Sequence, residues 1–384
     1  MRRPAEALDA LAATPCGARL LEALPDGAWL VGGAVRDLLL GREPRELDVA
    51  VEADVGALAG ALGEVVAAHG RFGTATVHAG DCRYDLARTR TETYSAPGAL
   101  PDVRPAGLDE DLRRRDFTVN AIALRPDGAG GADVRAADHA LEDLEARRLR
   151  VLHPASFADD PTRLWRLVRY AVRLGFLPEP GTDRLARDAV AGGALETVSG
   201  DRLGNELRLA LREPRPLDVL HAAQQLGVVR RLVLDPQRAA RALDLLPAGE
   251  GRRDLVVLGA VLPDAAWADG WGFDGAELRI LRRCADLVVP DDRPSKVAEA
   301  LRGEPLEAVA VAGGPGAAWW LREGRHVRLE IGGEDLLEAG LERGPELGAA
   351  LRRALDAKLD GLLEGAGAEA ELRAALQRED RGVD

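Results

Sequence analysis

One stretch decides the fold: it reads WLVGGAVRDLLLG at residues 29–41 and continues as ELDVAV at residues 46–51. The apolar run before the two glycines predicts a short strand, and residues 34–40 predict a helix that follows directly. Residues 47–51 alternate around β-branched side chains and predict a second strand. A strand that leads through Gly32-Gly33 into a helix leaves backbone N–H groups free to bind a triphosphate. Arg36 lies one turn into that helix and can add charge-assisted hydrogen bonds to phosphate, although an ordinary tight turn would carry the same glycines.

Three carboxylates accompany this turn. Glu46 and Asp48 are two residues apart on the predicted strand, so both side chains project from one face. Like charges side by side are unfavourable unless a cation lies between them. Asp85, on a further predicted strand at residues 83–87, is the natural third carboxylate. The pattern fits a site for two Mg²⁺ ions that serves attack on a nucleoside triphosphate; the alternative is an exposed strand edge with acidic residues.

The remaining pattern predicts an α+β fold. Residues 75–78 and 83–87 read as two strands joined by a turn at Gly80-Asp81, and residues 93–107 read as a loop because they are rich in Pro and Gly. After residue 157 the pattern is almost entirely helical. Divisions are expected near residues 150, 215 and 325.

Composition limits the class of protein. The 384 residues are 46% hydrophobic and 30% charged, and no apolar run approaches the roughly 18 residues of a membrane helix. The N-terminus lacks the apolar stretch of a signal peptide. The odd, scattered set of Cys16, Cys82 and Cys284 fits neither a disulfide framework nor a metal site. These features together predict a cytoplasmic protein.

The net charge of −13 argues at first against a nucleic-acid partner. The basic residues are clustered, however, at residues 113–115 and 163–173. Asp160, Arg163, Arg166 and Arg169 recur at every third position of a predicted helix, so neighbours share one side. A carboxylate accepts from an exocyclic amino group and a guanidinium donates to a ring nitrogen or carbonyl, which together select cytosine or adenine. Alternatively, Asp160 caps the helix, with Pro161 at its first position.

Three stretches carry a family resemblance. They are residues 32–48, residues 113–121 (RRRDFTVNA) and residues 159–166 (DDPTRLWR). In this order and spacing they resemble the signatures of class II tRNA nucleotidyltransferases and bacterial poly(A) polymerases, whose catalytic domain is polymerase-β-like. The resemblance covers about residues 1–211, and Ile331 to Gly361 also looks like the C-terminal segment of the family.

The resemblance implies both an architecture and an activity. It implies a nucleotidyltransferase head at 1–150, a neck for base recognition at 151–215, a helical body at 216–325 and a helical tail that binds tRNA at 326–384. Two Mg²⁺ ions would be held by Glu46 and Asp48, with CTP and ATP as nucleotides and tRNA as acceptor, and CCA would be added to its 3′ end. Arg115 would contact the nucleotide, while Asp116 and Asn120 would position the sugar.

Two further expectations concern the metal-binding pair and an ion pair in the neck. The usual family pair is Asp-x-Asp, so Glu46 predicts slower turnover or a changed metal preference. In the neck, Arg202 and Glu206 are four residues apart and are expected to form a structural ion pair.

Four alternatives remain open for the activity. They are A-only or CC-only addition, poly(A) polymerisation, a catalytically impaired RNA-binding protein on the same scaffold, and a nucleotidyltransferase that acts on small molecules. The loop at residues 88–104 favours competence with ATP.

Overall fold

The computed structural model describes residues 1–44, 46–69, 73–229 and 231–377. The chain forms two compact units, Met1–Arg230 and Arg231–Asp384. The divisions that the sequence suggests near residues 150 and 215 lie inside the first unit, and the one near residue 325 lies inside the second. The four-part division stays a prediction.

A seven-stranded mixed sheet forms the centre of the first unit, in the order β3-β4-β5-β2-β1-β8-β9. Its strands are β1 (Ala28–Val31), β2 (Leu47–Val51), β3 (Glu64–His69), β4 (Thr74–Ala79), β5 (Cys82–Arg88), β8 (Ile122–Pro126) and β9 (Ala132–Ala136), and the short strands outside it are β6 (Arg90–Thr93), β7 (Asp102–Pro105), β10 (Arg148–Leu149) and β11 (Leu177–Pro178). β1, β2, β4 and β5 confirm the four predicted strands.

Eleven described helices belong to this unit. They are α1 (Pro4–Ala12), α2 (Pro15–Ala23), α3 (Gly32–Leu39), α4 (Gly56–Leu62), α5 (Leu108–Arg113), α6 (Ala140–Glu145), α7 (Ser156–Asp159), α8 (Arg163–Leu174), α9 (Pro180–Ala191), α10 (Gly200–Leu211) and α11 (Pro216–Leu226). α3 confirms the predicted helix after the two glycines. From α7 onward the unit is helical apart from two-residue β11 and short turns, as the sequence predicts.

The pairing of β2 with its neighbours positions the site. β2 runs antiparallel to β1 and parallel to β5, and Asp48 stands directly opposite Asp85. All four residues of β1 are buried, which explains why this short strand is uniformly apolar. The carboxylates of two distant segments are therefore neighbours on one sheet.

The loop expected at residues 93–107 is wrong in part. β6 and β7 form an antiparallel hairpin, with Arg90 opposite Pro105 and Thr93 opposite Asp102. Proline lacks a backbone N–H but is tolerated on an edge strand. Pro105 lies opposite Arg90 in the last residue pair of this two-stranded sheet. The proline content that predicted a loop is compatible with such an edge.

The expectation about cysteine is also wrong. Cys16 on α2 and Cys82 at the start of β5 form a disulfide, with Cα atoms 5.4 Å apart. The hydroxyl of Tyr84 donates to the carbonyl oxygen of Cys16 at 2.9 Å and joins the same two elements. The two cysteines are 66 residues apart in sequence, so only the packing of α2 against β5 reveals the pair.

The second unit is helical. Its helices are α12 (Pro236–Leu245), α13 (Arg253–Val261), α14 (Gly275–Asp286), α15 (Pro294–Leu301), α16 (Leu306–Ala312), α17 (Gly314–Arg322), α18 (Gly333–Glu338), α19 (Pro345–Leu359) and α20 (Gly367–Leu376). Asp274 and Glu277 form a capping box at the start of α14, and Asp235 caps α12 before Pro236. Among the residues described, no helix has the length and apolar character needed to span a membrane.

Candidate active site

A cavity of about 650 Å³ opens in the first unit beside β1, β2 and β5. All thirteen residues that the sequence analysis selects line it: Gly32, Gly33, Arg36, Glu46, Asp48, Asp85, Arg115, Asp116, Asn120, Asp160, Arg163, Arg166 and Arg169. Segments more than 100 residues apart in the chain thus meet around one space.

The carboxylates occupy one end of the cavity. Oxygen atoms of Glu46, Asp48 and Asp85 all lie within 4.8 Å of one another. The pKa of Asp48 is raised to about 7, first by burial and then by the negative charge of Glu46, while the charge of Arg115 opposes the rise. A carboxyl whose ionised form is this unfavourable gains most from a cation beside it. Three hard oxygen donors at this spacing fit a divalent metal such as Mg²⁺.

Asp85 is held by neighbours on both oxygen atoms. The hydroxyl of Thr76, directly across from it on β4, donates to Oδ1 at 2.7 Å. Nη2 of Arg83 lies 2.8 Å from Asp85 Oδ2 and 3.9 Å from Glu46 Oε2. An arginine thus bridges two members of the carboxylate cluster.

The glycine turn is sterically required. Gly32 has a φ of +68°, and a Cβ atom there would lie 2.9 Å from Nη1 of Arg115 and 3.7 Å from Oδ2 of Asp48. α3 begins at Gly32, so the N-terminus of this helix faces the cavity with its free N–H groups. Any side chain at Gly32 would enter the space between the helix and the carboxylates.

Arg36 is buried against this turn. Its Nη1 donates to Asn120 Oδ1 at 2.5 Å, and its Nε donates to Asp37 Oδ1 at 2.8 Å. Nη2 lies 3.4 Å from the position of a Cβ at Gly33, so the guanidinium packs on that glycine. Arg36 is therefore fixed in place, with its role toward phosphate still a prediction.

Residues 113–121 supply a buried polar centre. Asp116 accepts hydrogen bonds from Asn120 Nδ2 at 3.0 Å and from the N–H of Phe117 at 2.8 Å. Its other oxygen forms an ion pair with Nη2 of Arg166 at 2.7 Å. Burial alone would raise the pKa of Asp116, but Arg166 and the two hydrogen bonds lower it below its ordinary value.

Arg115 is anchored by a neighbouring carboxylate. Its Nη2 donates to Asp111 Oδ2 at 2.9 Å, while Arg114 donates to Oδ1 of the same carboxylate at 2.6 Å. Burial would raise the pKa of Asp111, yet these two guanidinium groups lower it. Asp111 thus orients Arg115 beside Gly32.

The expected helical position of Asp160 is wrong. α7 ends at Asp159 and α8 begins at Arg163, so Asp160 lies in the turn between the two helices. Its Oδ1 accepts from the N–H of Thr162 at 3.1 Å, from the Thr162 hydroxyl at 2.6 Å and from Arg202 Nη2 at 2.9 Å. Within the described parts of the chain Oδ2 accepts no hydrogen bond. One oxygen therefore fixes the turn before α8, and Asp160 as a residue lines the cavity.

The expected pair between Arg202 and Glu206 is wrong as well. Arg202 donates to Asp160 and to the carbonyl oxygen of Gly98, at 2.6 Å. Glu206 instead accepts from Nη1 of Arg169 at 2.7 Å. Tertiary partners thus replace the pair that the four-residue spacing suggested.

The arginines of α8 are engaged in different ways. Arg163 is buried and donates to Ser156 Oγ at 2.6 Å and to the carbonyl oxygen of Arg114 at 2.8 Å. Nε of Arg169 lies 3.3 Å from Oε1 of Glu213, in addition to its bond with Glu206. Direct contact of these guanidinium groups with a nucleotide stays a prediction.

Several residues that line the cavity were not selected from the sequence. Glu92 on β6 accepts from Arg90 at 2.9 Å, from Arg114 at 3.0 Å and from the Tyr94 hydroxyl at 3.1 Å. Burial and the charge of Glu92 raise the pKa of Tyr94 to about 12. The Pro and Gly content of residues 93–107 predicts a loop, so no sequence signal points to this network.

Tyr170 was also missed. The guanidinium carbons of Arg36 and Arg173 lie 5.6 Å and 4.9 Å from its ring centroid. Its position four residues after Arg166 on α8 places it on the same side of the helix, which is the signal that could have selected it.

Comparison with known proteins agrees with this arrangement. Residues 28–150 match the family model of the poly A polymerase head domain. The chain is 39% identical over 266 residues to an A-adding tRNA nucleotidyltransferase of Geobacter sulfurreducens, which covers 64% of this chain and 30% of that protein. It is 41% identical over 251 residues to a CC-adding tRNA nucleotidyltransferase of Deinococcus radiodurans, which covers 62% and 64% of the two chains. The first part of the chain is thus similar to the poly A polymerase head domain, and the matched residues are similar to tRNA nucleotidyltransferases.

A solved structure extends this similarity beyond the head. The Thermotoga maritima CCA-adding enzyme complexed with tRNA is 26% identical, with a TM-score of 0.71 and coverage of 98% of both chains. The chain spans less than two thirds of the length of the two curated relatives named above. The polymerase-like head and the helical C-terminal region expected from the sequence are confirmed.

Proposed function

We propose that this chain is a template-independent nucleotidyltransferase that adds C and A nucleotides to the 3′ end of tRNA. The 3′ hydroxyl of the RNA would attack the α-phosphorus of CTP or ATP, and pyrophosphate would leave. The single observation that carries the proposal is the convergence of thirteen selected residues on one cavity with a carboxylate cluster at its end. The tail at 326–384 would bind tRNA, and the reaction would take place in the cytoplasm.

Divalent metal would be held by Glu46, Asp48 and Asp85, and two Mg²⁺ ions are proposed. Such ions would lower the pKa of the attacking hydroxyl and would offset negative charge on the triphosphate. The spacing of the oxygen atoms and the raised pKa of Asp48 support this assignment.

The polypeptide would orient the nucleotide. The turn at Gly32 and the first N–H groups of α3 would bind phosphate oxygens, with Arg36 and Arg115 beside them. Asn120 would contact the ribose from its position between Arg36 and Asp116. Because these groups are already hydrogen-bonded, little reorganisation is needed when the nucleotide binds.

Base selection would use the free oxygen of Asp160. Oδ2 would accept from the exocyclic amino group of cytosine or adenine. Uracil and guanine present a carbonyl at that position, so the carboxylate would be left desolvated and unpaired. The bond of Oδ1 to Arg202 holds this carboxylate in one orientation.

Incorporation on defined RNA tests the proposal. tRNA transcripts that end at the discriminator base, in C or in CC are incubated with each of the four nucleotides and Mg²⁺. Asp48→Asn and Glu46→Gln should reduce incorporation at least about a hundredfold. Asp81→Asn, on the exposed turn before β5, is the matched control and should keep the parental rate. Incorporation by Glu46→Gln at the parental rate would remove Glu46 from the site.

The same assay separates the alternatives. Extension of only the CC-ending transcript by ATP indicates A-addition, and arrest after two C residues indicates CC-addition. Long products indicate a poly(A) polymerase. Retained tRNA binding without incorporation under Mg²⁺ or Mn²⁺ indicates the impaired RNA-binding protein, and turnover that is indifferent to RNA indicates a small-molecule enzyme.

A further inference from the structure

Arg83 is a cation inside the carboxylate cluster that the proposed mechanism does not use. It precedes Asp85 by two residues on β5, so the two side chains leave the strand on the same face. Its Nη2 lies 2.8 Å from Asp85 Oδ2 and 3.9 Å from Glu46 Oε2. The guanidinium therefore bridges two of the three proposed metal ligands.

Each oxygen atom of Asp85 already has one partner. Oδ1 accepts from Thr76, which is fixed opposite Asp85 in the sheet, while Oδ2 faces Arg83. A metal ion at Oδ2 would have to displace the Arg83 guanidinium or share this oxygen with it. The Arg83 side chain is 52% exposed, so its guanidinium can rotate away from Asp85 into solvent at little cost.

We infer that Arg83 is a resident cation of this cluster that competes with divalent metal and so sets the metal concentration that the site requires. The inference rests on the proposed metal site and deepens it. Without metal, one positive charge offsets part of the repulsion among Glu46, Asp48 and Asp85. When a divalent ion binds, it must displace that charge or share the carboxylates with it, and either event weakens metal binding.

Direct metal binding tests the inference. Free Mn²⁺ is measured by electron paramagnetic resonance in titrations of the full chain at low ionic strength, without RNA or nucleotide. Arg83→Gln should bind Mn²⁺ about three- to tenfold more tightly than the parent, since an exposed unit charge at this distance has a modest effect. The difference should shrink at high salt because ions screen exposed charges.

Two further variants make the result specific. Arg83→Lys keeps the charge and should bind within about twofold of the parent. Arg135→Gln removes an exposed arginine of β9 that has no ion pair among the described residues, and it should leave the affinity unchanged. Circular dichroism melting confirms that each variant is folded before its Mn²⁺ affinity is compared with that of the parent.

Four results would overturn the inference. The first is Mn²⁺ binding by Arg83→Gln that is no tighter than that of the parent. The second and third are Mn²⁺ binding by Arg135→Gln or by Arg83→Lys that becomes as tight as that of Arg83→Gln. The fourth is the absence of Mn²⁺ binding by the parent and by all variants. None of these readings uses nucleotide incorporation. Failure of the proposed function, in contrast, is seen only in the incorporation assay.

Discussion

The ion pair between Asp116 and Arg166 gives the sharpest prediction for stability. Replacing Asp116 with Asn keeps the shape of a buried side chain but removes the negative charge that faces Nη2 of Arg166 at 2.7 Å. Breaking a fully buried pair costs about 3–5 kcal/mol, whereas an exposed pair is worth about 0.2–1 kcal/mol. Arg166 is 37% exposed and stays partly hydrated, so we expect a loss of about 2 kcal/mol.

Amide hydrogen exchange of α8 measures this loss within the first unit. About 2 kcal/mol corresponds to roughly thirtyfold faster exchange of the most protected amides of α8. A double-mutant cycle with Arg166→Gln isolates the pair, and a coupling of about 1–2 kcal/mol is expected. A coupling below about 0.3 kcal/mol would refute the reasoning, because the two charges would then contribute independently.

The pH dependence has a defined sign. The pKa of Asp116 is lowered from its ordinary value of 3.8, so the folded state favours the ionised form. Its contribution to stability is complete above that ordinary pKa and is lost as the pH falls through the lower folded-state pKa. The difference between parent and Asp116→Asn should therefore stay constant from about pH 5 to pH 8 and narrow only in strong acid. A difference that widens on acidification would contradict the lowered pKa.

Three further predictions concern other parts of the chain. Burial raises the pKa of the Cys284 thiol to about 12. Maleimide at about pH 8 should therefore label no cysteine in the native protein, one cysteine in non-reducing denaturant and three cysteines in denaturant after reduction. Labelling of the native protein would contradict the burial of Cys284. Gly32→Ala places a side chain on a backbone with a φ of +68°, and its Cβ would lie 2.9 Å from Nη1 of Arg115. The variant should lose about 1–2 kcal/mol of unfolding free energy in urea and should incorporate nucleotide much more slowly. A parental rate of incorporation would argue against the close approach. Asp160→Ala should admit UTP or GTP in the incorporation assay, and an unchanged preference for C and A would exclude Asp160 from base selection.

Local sequence predicted which residues line the cavity because these residues lie in short motifs. The turn at Gly32-Gly33 and the pair Glu46 and Asp48 each lie within a few residues of a strand, and the sheet then brings Asp85 beside them. The periodic pattern found β1, β2, β4 and β5 for the same reason. The conformational requirement for glycine is local as well, since it follows from the backbone at one residue.

Long-range partners could not be predicted in this way. Arg169 pairs with Glu206 and Glu213, and Asp160 pairs with Arg202, although the sequence offers 51 basic and 64 acidic residues as possible partners. A spacing of four residues on one helix suggested Arg202 with Glu206, but a tertiary contact displaced it. Which charges meet is decided by the packing of α8 against α10, and that packing has no signature in the local pattern.

Charge balance around the cavity bears on how a nucleotide would bind. Among the described residues that line it, eight are arginines and eight are Asp or Glu. Several of the arginines are already paired with carboxylates such as Asp111 and Asp116. At one end of the cavity Glu46, Asp48 and Asp85 lie together and repel one another. A free triphosphate would bring further negative charge to a lining with no net positive charge, and repulsion from the carboxylates would oppose its entry. We therefore expect CTP and ATP to bind as metal complexes, so that equilibrium dialysis with labelled nucleotide shows binding with Mg²⁺ and little binding with EDTA. Equal binding under both conditions would mean that the arginines alone neutralise the triphosphate.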